Sequence, residues 1–196
     1  VSYGAVSPDA RTFSEQMYIH SRSLEKLEIL ASKVHKAGGK VAMQLTHCGY
    51  FSKNTNIKTP LAPSKIFNEY GFMSGIVFSK EMTKSDMQNV SNNFAEAALK
   101  LKKIGFDAVE IHMGHGYLLS QFLSPWTNKR KDEYGGSIEN RVRFPLEVLK
   151  NVISKVGEDF PVLVKLNLSD GFKGGFTLEE CKYVAKELEK NGCTAI

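Results

Sequence analysis

Two imidazoles, two glycines and a phenol fall between His112 and Tyr117, in the stretch E-I-H-M-G-H-G-Y-L-L-S-Q-F-L-S-P from 110 to 125. Side chains of these types exchange protons or donate hydrogen bonds to a developing negative charge. An apolar run over 106–111 leads into them and stops at His112, so the group reads as a strand end carrying chemistry. Alternation along a strand puts Phe106, Ala108, Glu110 and His112 on one face, which gives His112 a carboxylate for a neighbour. Gly114 and Gly116 allow a sharp turn that returns His115 and Tyr117 over the same strand mouth. Three polar side chains are thereby expected to converge on one small volume.

Two further strands carry polar residues at interior parity. Ala42, Gln44 and Thr46 share one side of theirs, and Leu163, Lys165 and Asn167 one side of another. A buried amide and a buried ammonium need polar company. Lys165 can find it in Glu110 as a structural ion pair, or Gln44 and Lys165 together can face a flat heterocycle or an anionic ligand. His47 has the opposite parity from Gln44 and reads as structural, outside the strand interior. His112 and His115 could also ligate zinc in a metal-dependent hydrolase, but neither H-E-x-x-H nor C-x-x-C supplies further ligands.

The elements that position these residues repeat one grammar. A strand tail over 1–6 is followed by the turn residues Ser7, Pro8, Asp9 and Ala10. Ser23 is expected to cap a helix running to Ala37, closed by Gly38, and a strand over 41–47 follows. Thr83 and Asp86 form a capping box for a second helix that stops at Gly105, ahead of the strand at Phe106. A third helix over 142–156, kinked or begun at Pro145, ends at Gly157 before a strand over 162–167. A fourth opens on Thr177 and Glu180 and ends at Gly192, ahead of a final apolar run. Alternating helices and apolar strands imply a parallel sheet. Links from strand to helix are long (His47 to Thr83, His112 to about Ser137) and the reverse links short, as in a (β/α)8 barrel whose post-strand loops build the site. A doubly wound sheet would normally show G-x-G-x-x-G after its first strand, and Leu119 stands where the third glycine would be.

Composition narrows the functions. The net charge of +5 comes from scattered basic residues, which argues against nucleic acid or a membrane surface as partner. Three cysteines without C-x-x-C suit a reducing compartment, and no apolar run approaches the roughly 20 residues of a membrane span, so a cytoplasmic location is expected. The chain begins on Val1 and ends on Ile196 as an apolar run starts, and both ends read as cut.

The segments Q-L-T-H at 44–47, L-A-P-S at 61–64, the 110–125 stretch and N-K-R-K-D-E-Y-G-G-S-I-E-N-R at 128–141 resemble the old yellow enzyme family of FMN-dependent NADH:flavin oxidoreductases, or ene-reductases. The resemblance runs over essentially the whole chain. It implies a TIM barrel, present here as about strands 2 to 6 in one partial domain over 1–196. FMN would lie across the strand mouths, reduced by NAD(P)H and reoxidised by an electron-poor alkene or quinone. By the same resemblance Gln44 meets the flavin pyrimidine edge and Lys165 stands where many members carry arginine. His112 and His115 hold the substrate carbonyl oxygen, and Tyr117 gives the proton. The 128–141 run is expected to be architectural. The strand that places a residue beside flavin N5 and the loops for the FMN phosphate have no counterpart in the chain. Such a segment is expected to associate, with copies of itself or a partner chain, and on its own to hold little FMN.

Overall fold

The structure, a computed structural model, describes residues 3–196, so the first two residues of the expected strand over 1–6 lie outside it. Four parallel strands form the main sheet: β1 (Gly4–Ala5), β2 (Ala42–Thr46), β5 (Ala108–Met113) and β6 (Val162–Leu166), adjacent in chain order. Helices fill the crossovers: α1 (Ser21–Lys36), α2 (Lys84–Lys103), α5 (Arg143–Val156) and, after β6, α6 (Leu178–Lys190). Ala195 then makes a single parallel bridge to Leu163 on the same edge. Sequential neighbours with no reversal of order are the pattern of a (β/α)8 barrel, and a doubly wound sheet would reverse.

Side chains divide by parity. Met43, Leu45, Val109, Ile111, Met113, Val162 and Val164 are at most 1% exposed, in one core with Phe94 and Leu101 of α2 and Phe144, Val148 and Val152 of α5. Each large apolar side chain so buried contributes roughly 1.5–3 kcal/mol. The opposite parity carries Gln44, Glu110, His112, Leu163 and Lys165.

Local signals fix the helix ends. Thr83 Oγ1 accepts from the Asp86 amide at 3.1 Å while Asp86 Oδ2 accepts from the Thr83 amide at 2.9 Å, and Thr177 and Glu180 repeat the exchange ahead of α6. Changing Thr83 to Ala is expected to lower stability by about 1 kcal/mol, read as a shift in the urea midpoint at constant slope. The start of α1 differs from the expected Ser23 cap. Its N-cap is His20, and Ser23 lies one turn inside, its Oγ accepting from the His20 amide at 2.9 Å. Pro145 sits in the first turn of α5, where its missing N–H costs nothing.

At the foot of the sheet Asp107, just ahead of β5, gathers three donors: the Val41 amide at 2.8 Å, His35 Nε2 at 2.8 Å and Lys40 Nζ at 2.9 Å. These bonds hold its carboxyl far below the usual range, and they join α1, β2 and β5 at the ends away from the histidines.

At the head, the long connections carry structure of their own. Between β2 and α2 lie β3 (Leu61–Ala62) and β4 (Lys80–Glu81), a small parallel pair, and between β5 and α5 lie α3 (Leu118–Leu123) and α4 (Ile138–Arg141). The two connections are tied by Arg130, which is 7% exposed. Its Nη1 donates to the carbonyls of Pro63 (3.0 Å) and Met82 (2.7 Å), while Nε and Nη2 grip Asp132 (3.0 and 2.5 Å). Asn128 donates to the carbonyls of Phe122 and Tyr134, and buried Arg141 bonds the Leu123 carbonyl and Glu180. The 128–141 run thus spends its polar groups on the scaffold.

Candidate active site

β5 runs one residue beyond His112, to Met113, so His112 is the last inward residue of the strand and not its end. The chain then turns through Gly114 and His115. A Cβ on Gly114 would come within 2.8 Å of Asn167 Oδ1, so glycine is required by close approach. His115 takes the left-handed conformation (φ 55°), and its amide donates to that same Asn167 oxygen at 2.9 Å. Asn167, at the head of β6, therefore pins an unfavourable backbone state in place.

The turn brings the expected three side chains together. His115 Nδ1 lies 3.4 Å from His112 Nε2, and the Tyr117 ring packs on His112 with centroids 4.8 Å apart. His112 and Tyr117 are buried, while His115 is exposed. Tyr3 edges onto Tyr117 at 5.8 Å, Phe51 packs at 5.8 Å, and Thr12 Oγ1 stands 3.2 Å from the phenol oxygen. Burial pushes the phenol well above its ordinary pKa, with Thr12 opposing, so Tyr117 keeps its proton at neutral pH.

Burial first, then the neighbouring His115 and Lys165, lowers His112 to about 4. The imidazole is therefore neutral at pH 7, one nitrogen donating and the other accepting. Its Nδ1 is buried without a partner. A contact of 3.4 Å between the two rings is long for a hydrogen bond and readily exchanged for a substrate oxygen.

His47 is also lowered to about 4 by burial, partly offset by Asp9 at 3.9 Å. It lies away from the inner face, and its Nδ1 accepts from the Gly49 amide. Both histidines bind protons more tightly when unfolded, near 6.5, than when folded, so stability rises with pH between about 4 and 6.5. We expect the unfolding midpoint to fall steadily from pH 7 to about 5, before most carboxylates titrate, and both imidazoles to titrate near 4 by NMR. Titration of both near 6.5 would refute this.

On the inner face, Gln44 Nε2 donates to Glu110 Oε1 at 2.5 Å. The ion pair considered for Lys165 and Glu110 does not form. Register sets Leu163 opposite Glu110 and Lys165 opposite His112, one step further up the strands. Nor is Lys165 buried: it is exposed at the strand mouths, and no carboxylate among the described residues pairs with it. His112 and His115 gather no third His, Cys, Asp or Glu in ligand position among the described residues.

Sequence reasoning missed the residue that locks the turn. Gln121, 1% exposed, donates Nε2 to the carbonyls of Cys48 (2.9 Å) and Gly116 (2.6 Å) and accepts from the Tyr50 amide at 3.2 Å. It fixes the loop after β2 against the histidine turn. A Cβ on Gly49 would fall 2.1 Å from its Oε1. The signal was a glutamine at a wholly buried helical position, between Ser120 and Phe122.

The sequence matches the NADH:flavin oxidoreductase / NADH oxidase family over residues 1–195. It is 40% identical over 165 residues to an NADH oxidase of Thermoanaerobacter brockii, covering 83% of this chain and 25% of that protein. It is 38% identical over 195 residues to an NADPH dehydrogenase of Geobacillus sp. (strain WCH70), covering 98% of this chain and 54% of the other. Among solved structures, the Old Yellow Enzyme from Pichia sp. AKU4542 superposes with a TM-score of 0.86 at 32% identity, over 96% of this chain and 53% of that one. The chain thus spans a quarter to about half of the relatives it matches, and its parallel sheet is part of their TIM barrel. With FMN as the family's cofactor and NAD(P)H as its reductant, the chain belongs to the NADH:flavin oxidoreductase / NADH oxidase family, that of the old yellow enzymes.

Proposed function

We propose that this chain forms the central part of an FMN-dependent ene-reductase, acting on an electron-poor alkene of the enone type. The observation that carries the reading is the convergence of two imidazoles and one protonated phenol at the mouth of β5. When bound, FMN supplies the hydride carrier between NAD(P)H and the alkene. Fit to the flavin is supported by the inner face, where the Gln44 amide and the unpaired Lys165 ammonium offer donors for an acceptor-rich heterocycle edge.

His112 and His115 hold the carbonyl oxygen of the substrate. Hydride arriving at the β-carbon drives charge onto that oxygen, and imidazole N–H groups turned toward it from His112 and His115 stabilise it. Tyr117 then delivers a proton to the α-carbon, and its raised pKa keeps that proton in place until needed. Phe51, Tyr3 and the Tyr117 ring itself exclude water from the transfer.

Anaerobic addition of NADH or NADPH to the yellow enzyme should bleach the flavin absorbance, and 2-cyclohexenone should restore it. A flavoprotein that bleaches but is not reoxidised by any enone would keep the flavin reading and exclude ene-reduction. A colourless protein whose activity follows added zinc would favour a hydrolase.

A further inference from the structure

Beside the histidine turn opens a cleft of about 330 Å³, within the size range of small-molecule sites. Its inner end is formed by His115, Gly116 and Asn167, so it is continuous with the proposed reaction site. Its walls come from three separate connections: Tyr50, Glu69 and Tyr70 from the loop after β2, Trp126 from the loop after β5, and Asp170 and Phe172 from the loop after β6. Four aromatic rings and two carboxylates line it, and none of the 26 lysines and arginines does.

The rings are held in place. Tyr70 packs on Phe51 (3.8 Å between centroids) and near Tyr50 (6.4 Å), and Trp126 meets Phe172 edge to face at 5.6 Å. Trp126 is met on one side by the chain's own Lys129 Nζ, 5.5 Å from its centroid. Asp170 is fixed by the Ser124 hydroxyl (2.6 Å) and the Phe176 amide (2.7 Å), both on Oδ2. Tyr50 is raised to about 12, chiefly by burial, then by Tyr70, Glu69 and Asp170.

We infer that this cleft recognises a flat, positively charged group, such as an aryl or quaternary ammonium substituent on the substrate, and discriminates against carboxylates. The inference rests on the ene-reductase reading for the word substrate, but the cleft's preference stands on its own lining. Trp126 is the single tryptophan of the chain, so its emission reports occupancy without turnover.

The test titrates the chain with phenyltrimethylammonium and with benzoate, following Trp126 fluorescence. The cation is expected to bind roughly tenfold more tightly than benzoate, the combined effect of ring faces and carboxylates at a half-open site. Glu69→Gln, a change at an exposed side chain, should shrink that ratio several-fold, as should raised salt. Equal affinities, tighter benzoate, an unresponsive Trp126 or an unaltered ratio in Glu69→Gln would overturn the inference. An uncharged enone that is not reduced, while Trp126 still separates the two ions, would instead remove the enzymatic reading and leave the cleft.

Discussion

Replacing Tyr117 with Phe is expected to leave bleaching of the flavin by NAD(P)H intact and to slow reoxidation by an enone about 10²-fold or more, the usual worth of a positioned general acid. The substitution keeps the ring that packs on His112, Tyr3 and Phe51 and removes only the hydroxyl facing Thr12. Geometry at the turn should survive, because it is held by Gln121 and Asn167 and not by the phenol oxygen. Rapid-mixing absorbance of the two half-reactions separates the outcomes. Equal loss in both would point to damaged flavin binding, and unaltered reoxidation would remove Tyr117 from the proton transfer.

Arg130→Ala should destabilise the head of the sheet by about 1–3 kcal/mol, the penalty for leaving buried carbonyls without their donor, since its partner Asp132 is itself a third exposed. It strips the carbonyls of Pro63 and Met82 of their donor and leaves Asp132 without its bidentate partner. Lysine should recover little, since a single ammonium cannot reach two carbonyls and a carboxylate in a planar fork. Urea unfolding would show the shift. A loss under about 1 kcal/mol would mean that the two connections are held by their apolar contacts alone.

What the sequence disclosed follows how local each signal is. The caps at Thr83 and Thr177 are exchanges between residues three apart, so they could be read directly. Convergence of His112, His115 and Tyr117 was equally legible, since strand parity and two glycines suffice. The start of α1 was misread because Ser23 is an acceptable cap by type, whereas in the fold His20 caps the helix and Ser23 sits at its third position, its Oγ accepting from the His20 amide. Parity gave the face of Lys165 but not its partner, because register is set by neighbouring strands and differs by two residues from the pairing with Glu110. β3 and β4 have two residues each, too few for any alternation. Arg130 and Arg141 look like surface residues until carbonyls distant in sequence, those of Pro63 and Met82 for the one and of Leu123 for the other, close around them.

Asp107 and His112 sit at opposite ends of one strand, five residues and hence about 17 Å apart. The foot of the sheet is clamped by Asp107 to α1 and β2, while His112, His115, Tyr117 and Lys165 lie at the head. A lineage carrying this chain can therefore retune its working temperature through the foot without retuning its substrate range. Conversely, loops at the head can be exchanged for new specificities while the clamp keeps the strands in register. Such a division gives the molecule two nearly independent axes along which selection, or a protein engineer, can move it.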